Sequence, residues 1–293
     1  MRAPEPVPLD DPRLDGIRLL LGVIDRLRAP DGCPWDRRQT EASMAPYAVE
    51  EAHEWLEAIE GGSPEEAEGE GGDTLLAVLM TCRIAQEAGR YDAGSAAARC
   101  AEKLVARHPH VFADQVATTE AEVLATWEER KRAERAASGA DPSALAGIPG
   151  GLPALMGAAR TSSKAVGAGF HWPTVQGALD KVHEELRELE AVVPQAVRAG
   201  APRSEVPEAA RAAVEHELGD VLLAAAYLGV YLGLDPDALC RTANRRFQGR
   251  FRAMEAELGG SLQGRSLEEL LGAWGAAKEA ERGTAAPDGA PRS

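Results

Sequence analysis

Apolar positions recur at three- and four-residue spacing through most of this chain. Leu14, Ile17, Leu20, Leu21, Ile24 and Leu27 form one such run, and that spacing puts them on a single helical face. The same period, interrupted by Gly, Pro and polar clusters, predicts helices near 13–29, 41–60, 65–89, 93–108 and 119–136. A second set is predicted near 152–168, 174–199, 205–233, 235–258 and 266–281. Alternating strand patterns are nearly absent, so the expected fold class is all-α. Ser63-Pro64-Glu65-Glu66 has the form of a cap, a first-turn proline and early acids, and Asp235-Pro236 reads the same way.

The breaks divide the chain. A Gly/Pro/Ser/Ala-rich linker is expected at 137–151, between helical domains at 13–136 and 152–282. A looser stretch at 194–207 interrupts the second half. Residues 1–12 and 283–293 are expected to be disordered tails, given their Pro- and Gly-rich composition. The N-terminus has no apolar run of the kind a signal peptide needs. The longest apolar stretch, Val221 to Leu234, is Gly-interrupted and too short to span a bilayer.

The two halves repeat each other in order. Glu50-Glu51-Ala52-His53-Glu54 matches Glu184-Glu185-Leu186-Arg187-Glu188. Glu70-Gly71-Gly72-Asp73 matches Glu217-Leu218-Gly219-Asp220. Lys103 and Arg107 match Arg246 and Arg250, and Trp127 with Lys131 matches Trp274 with Lys278. Four matches in register point to a duplicated helical module.

The repeated acids suggest metal chemistry. Glu51 and Glu54 are one helical turn apart and share a face, as do Glu70 and Asp73. Packing the two helices together would gather four carboxylates, which cannot all stay ionised without cations. Oxygen-only donors suit Mg²⁺ or Mn²⁺ rather than zinc. Glu185, Glu188, Glu217 and Asp220 form the second set. Acids at helical spacing are more often a solvated face. Against that, apolar residues follow each Glu-x-x-Asp at once: Leu75, Leu76 and Val78, then Val221, Leu222 and Leu223. A di-iron bundle would need Glu-x-x-His twice. Glu50 and His53 supply it once, and Arg187 stands where the second His belongs.

Charge qualifies this picture. The chain carries 32 Lys+Arg against 47 Asp+Glu, a net of -15, which disfavours nucleic acid or an anionic membrane as partner. The surplus is uneven: residues 1–145 hold 16 basic and 28 acidic residues, net -12, while residues 146–293 hold 16 and 19, net -3. A polyanion is therefore more easily placed in the second half. Arg241, Arg245, Arg246, Arg250 and Arg252 cluster on one predicted helix there. Arg246 and Arg250, four apart, could share one phosphate chain; salt bridges to the many acids are the competing use. Lys181 sits one turn before Glu184 and Glu185. Four scattered cysteines with no Cys-x-x-Cys pair suggest a reducing, cytoplasmic setting. His108-Pro109-His110 reads better as a helix end than as a metal site. Trp127 and Trp274 read as core anchors before base-stacking platforms.

Gly32-Cys33-Pro34-Trp35-Asp36-x-x-Gln39-Thr40, the first acids, and Arg107-His108-Pro109-His110-Val111-Phe112 together resemble the first domain of the MazG family. Gly169-Phe170-x-Trp172, Lys181-Val182-x-Glu184-Glu185, Glu217-Leu218-Gly219-Asp220 and Ala243-Asn244-x-x-Phe247 resemble its second domain. The resemblance covers most of 13–282. It implies an all-α, Mg²⁺-dependent homodimeric hydrolase that cuts nucleoside triphosphates between the α- and β-phosphates, clearing non-standard or excess nucleotides. It also implies that Glu185, Glu188, Glu217 and Asp220 hold Mg²⁺. Glu184, Lys181, Arg246, Arg250 and Trp274 would line the nucleotide site, with Lys103 and Arg107 as first-half counterparts and with Glu184, Glu185 and Lys181 in catalytic roles.

This chain departs from the family pattern at Gly71, where Leu is usual, at Arg246, where Lys is common, and at Gly249. In the family the second domain is often the catalytic one, but here both sets of acids are complete. A nucleotide-binding module without turnover and a plain helical scaffold are the competing readings.

Overall fold

The computed structural model describes residues 5–137, 139, 141–200 and 205–284. No strand occurs among them. The chain divides into two compact units, Met1–Ala140 and Asp141–Ser293. The first holds α1 (Arg13–Arg28), a 3-10 turn (Asp36–Arg38), α2 (Glu41–Gly61), α3 (Pro64–Glu87), α4 (Ala93–Arg107), α5 (Pro109–Phe112) and α6 (Glu120–Ala137). The second holds α7 (Ala154–Gly167), α8 (Val175–Val192), α9 (Gln195–Arg198), α10 (Glu208–Tyr231), α11 (Pro236–Glu257) and α12 (Leu267–Thr284).

In the first unit α2 and α3 form the central pair. Gly62 and Ser63 alone separate them, so α3 folds back along α2. Ser63 and Glu66 complete a reciprocal cap, with Pro64 in the first turn. Thr40 with Ser43 and Asp92 with Ser95 cap α2 and α4 in the same way. Each such cap contributes about 1 kcal/mol. Helix α1 packs on α3 through Ile24, Leu79, Met80 and Ile84, with Met44 of α2 in the same cluster. The Arg28 side chain, only 5% exposed, pairs with Glu87 at 2.5 Å and donates to the Asp36 carbonyl. One guanidinium thus ties α1, α3 and the 3-10 turn together.

In the second unit α10 packs on α8 and α7, while α11 packs on α12 and α7. Two tyrosines of α10 hold the segment before α8. The Tyr227 hydroxyl donates to the Phe170 carbonyl at 2.6 Å, and the Tyr231 hydroxyl donates to the Trp172 carbonyl. A side chain on Gly177 would collide with Trp172, at 2.8 Å from its Cδ1, so the indole seats directly on the first turn of α8.

The helix predicted over 174–199 is interrupted: α8 ends at Val192 and the short α9 starts after Pro194, because a proline offers no backbone N–H and restricts the residue before it. The 3-10 turn and α5 were not expected. His108 closes α4, its Nδ1 lying 2.7 Å from the Leu104 carbonyl, and Pro109 opens α5. That agrees with the reading of the His-Pro-His run as a helix end. Helix α12 continues to Thr284, past the expected end of order at 282, while 1–4, 201–204 and 285–293 lie outside the described residues. Residues 5–12 carry turns but no helix. Among the described residues no single helix is long and apolar enough to cross a membrane. The α10–α11 pair passes by length and composition but is bent by 108°, and α11 carries the five arginines.

Candidate active site

Each unit gathers three carboxylates from its central helix pair. Glu51 of α2 meets Glu70 and Asp73 of α3, with one oxygen of each within 4.8 Å of the others. Glu185 and Glu188 of α8 meet Glu217 of α10 within the same limit. One member of each expected quartet stands outside the triple. Glu54 is exposed on α2, close enough for its charge to act on Glu51. Asp220 instead lies 3.4 Å from His216 Nε2, one turn back on α10.

The electrostatics differ between the triples. Burial, followed by the charges of Glu54, Asp73, Glu70 and Glu50, pushes the Glu51 carboxyl above its ordinary range. Burial also raises Glu188, reinforced by its hydrogen bond to Glu185. The Glu185 side chain is 8% exposed, and Lys181 Nζ lies 2.7 Å from it and 2.7 Å from Glu184. This pairing holds Glu184 below the usual carboxylate range and pushes Lys181 further up. Tyr47 stands where Lys181 would repeat, four residues before Glu51.

Gathered oxygens with raised acids fit a hard divalent cation. Nothing softer than oxygen contributes to either triple.

Tyr47 and Trp35 border this site, although the spacing of the acids does not point to them. They meet edge to face at 6.1 Å and line a cleft of about 140 Å³ with Met44, Leu76, Glu51 and Asp73. A second cleft of about 270 Å³ lies along 169–173. The Gly32-Cys33-Pro34-Trp35 and Gly169-Phe170-x-Trp172 motifs signalled both places.

The expected phosphate ligands lie on other helices. Arg107 of α4 pairs with Glu134 of α6 at 2.5 Å and covers the Trp127 ring at 5.2 Å. Lys103 is exposed on α4. In the second unit Arg246 is exposed on α11, and Arg250 pairs with Glu281 of α12. Trp274 is half-buried and packs on Phe247, ring centres 5.0 Å apart. Neither arginine belongs to the carboxylate triple. Arg250 would have to leave Glu281 to meet a phosphate.

Comparison with known proteins decides the family. A family model described as "MazG nucleotide pyrophosphohydrolase domain" matches residues 39–112, the stretch holding the first triple. The chain is 40% identical over 272 residues to the nucleoside triphosphate pyrophosphohydrolase of Escherichia coli, covering 92% of this chain and 99% of that one. It belongs to the MazG family. It is also 35% identical over 251 residues to the nucleoside triphosphate pyrophosphohydrolase/pyrophosphatase MazG of Thermotoga maritima, across 86% of this chain and 89% of that one. The Mycolicibacterium smegmatis nucleoside triphosphate pyrophosphohydrolase is 32% identical over 229 residues, across 70% and 66%. Membership in the MazG family accounts for the all-α fold.

Proposed function

We infer that this protein hydrolyses nucleoside triphosphates to nucleoside monophosphate and pyrophosphate, with Mg²⁺ as its ion, Mn²⁺ as substitute, and the second unit as the main catalytic site. The observation that carries this is the buried Glu185 beside Glu188, Glu217 and Lys181 in a chain of the MazG family. A divalent cation there supplies charge neutralisation and Lewis acidity at the phosphates. The chain's own residues do the rest. Glu185, Glu188 and Glu217 hold the ion, with Asp220 able to join on leaving His216. Lys181 balances Glu184 and Glu185, and its third N–H donor would meet charge that grows on a phosphoryl oxygen. Glu184, kept ionised by Lys181, orients or deprotonates the attacking water. Arg246 and Arg250 reach the phosphate chain from α11, beside Trp274.

The physiological task is removal of non-standard or excess nucleotides. The protein works as a cytoplasmic homodimer without nucleic-acid or membrane partners. Exposed Leu186 of α8 and Leu218, Leu222 and Leu223 of α10 support a second copy packing beside the site.

The first unit supports a second reading. Its triple has Tyr47 in place of a lysine, which fits nucleotide binding with weak turnover. Pyrophosphate release from a panel of triphosphates with Mg²⁺ tests both readings. Glu217→Ala/Asp220→Ala should abolish release, and Glu70→Ala/Asp73→Ala should only reduce it. The reverse outcome would move the active site to the first unit. Binding without release in the unmodified protein would leave a regulatory module.

A further inference from the structure

We infer that Trp55 and Gly71 are a positioning pair that sets the approach of α2 and α3 beside the first carboxylate triple. Trp55 follows Glu54 on α2, and Gly71 follows Glu70 on α3. A Cβ on Gly71 would lie 3.1 Å from Trp55 Nε1 and 3.4 Å from its Cε2. The indole therefore occupies the room left by the missing side chain. Trp55 remains 41% exposed, so it is a wedge at the rim of the helix pair rather than a core anchor.

The second unit carries different residues at the matching positions. Leu189 follows Glu188, and Leu218 follows Glu217. At these two positions one half has a large side chain and none, and the other has two of middle size. Close-packed interfaces conserve volume in this manner. A side chain at position 71 requires the indole or the helix to give, by a few tenths of an ångström for a Cβ alone, and Glu70 and Asp73 flank that position on α3. A cation held by oxygens tolerates little change in ligand distance. The consequence is that Trp55 and Gly71 tune the first site through the spacing of Glu51, Glu70 and Asp73. This rests on the reading that the triple holds a divalent cation.

The test uses the full chain carrying Glu185→Gln and Glu217→Gln, which leaves the first triple to bind, with Mn²⁺ titrated and followed by its paramagnetic resonance signal. Gly71→Leu should weaken Mn²⁺ binding about tenfold or more, and Trp55→Leu/Gly71→Leu, the second unit's combination, should restore it to within about threefold. Unchanged affinity in Gly71→Leu overturns the inference. So does a double variant that binds as weakly as the single one while keeping its helicity. If Gly71→Leu fails to fold, Gly71→Ala replaces it, with a smaller loss expected and rescue by Trp55→Leu. No Mn²⁺ binding in the starting background would overturn the cation reading of the first triple, and the inference with it; binding that ignores position 71 overturns the inference alone.

Discussion

The two carboxylate triples are built from matching helix pairs, yet only the second contains its own cation. Lys181 lies 2.7 Å from the buried Glu185, whereas Tyr47 occupies the matching place before Glu51. The tyrosine joins Trp35 in a cleft that Glu51 and Asp73 also line. A buried carboxylate needs a partner charge to remain ionised. The second triple is partly compensated by Lys181, while the first has only acids acting on Glu51. The two halves therefore keep matching acids, and the lysine one turn upstream in the second half alone is the difference on which the proposed division of labour rests.

The largest expected effect tests whether the second triple is the working one. Glu185→Gln removes the charge of the most buried acid and one of the two partners of Lys181, so pyrophosphate release should fall by at least about 100-fold. Glu51→Gln should lower it by less than about tenfold. Equal losses in a steady-state assay would break the proposed division of labour.

Lys181→Met comes next. Loss of one preorganised donor typically lowers turnover by about 100-fold or somewhat more, but here the carboxylates survive, so Mn²⁺ affinity should hold or rise while turnover falls. Affinity and turnover falling together would make Lys181 a scaffold for the ligands rather than a donor to the substrate. Tyr47→Lys is the converse: it should bring the Glu51 carboxyl down toward its ordinary range, as carbon-detected NMR titration would show.

The helices and acids of both sites, more than the asymmetry between them, were legible in the sequence. The repeated Glu-x-x-Glu and Glu-x-x-Asp spacings located both triples and the helices that bear them. The spacing could not show that Glu54 and Asp220 would stand aside, because membership depends on rotamers and on how the two helices cross. Nor did a count of acids reveal Tyr47, whose meaning comes from the residue that faces it. Pro194 was visible, but the apolar period ran past it and the predicted helix with it. Arg107 and Arg250 stood at phosphate-binding spacing, whereas the structure engages them with Glu134 and Glu281, acids remote in sequence.

A smaller effect concerns pH. Glu51 and Glu188 are raised in the folded protein, so without metal the folded state holds more protons than the unfolded one between the unfolded value and the raised value. Stability of the metal-free protein should then fall as pH rises through that window and stay level above it. Divalent-ion affinity should weaken as pH falls through the raised values, before ordinary carboxylates near about 4.3 begin to titrate. Melting curves with and without Mg²⁺ would check both signs. Metal-free stability that climbs across the same window would show that neither triple is under the charge strain described.

The smallest effect separates ligand placement from helix stability. Helix α3 opens with the reciprocal Ser63–Glu66 cap, while α10 starts after Pro207 with no side-chain cap. Ser63→Ala leaves the N–H of Glu66 and one end of the reciprocal pair unmet, and should destabilise the first unit by about 1 kcal/mol. That change acts about three turns before Asp73, and it alters neither Trp55 nor Gly71. Mn²⁺ affinity of the first triple should therefore hold to within about twofold, well below the loss expected of a positioning residue, while urea unfolding shifts measurably. If affinity dropped in step with stability, the triple would depend on the whole of α3 being held down. The local fit of Trp55 against Gly71 would then be a minor part of what sets its spacing.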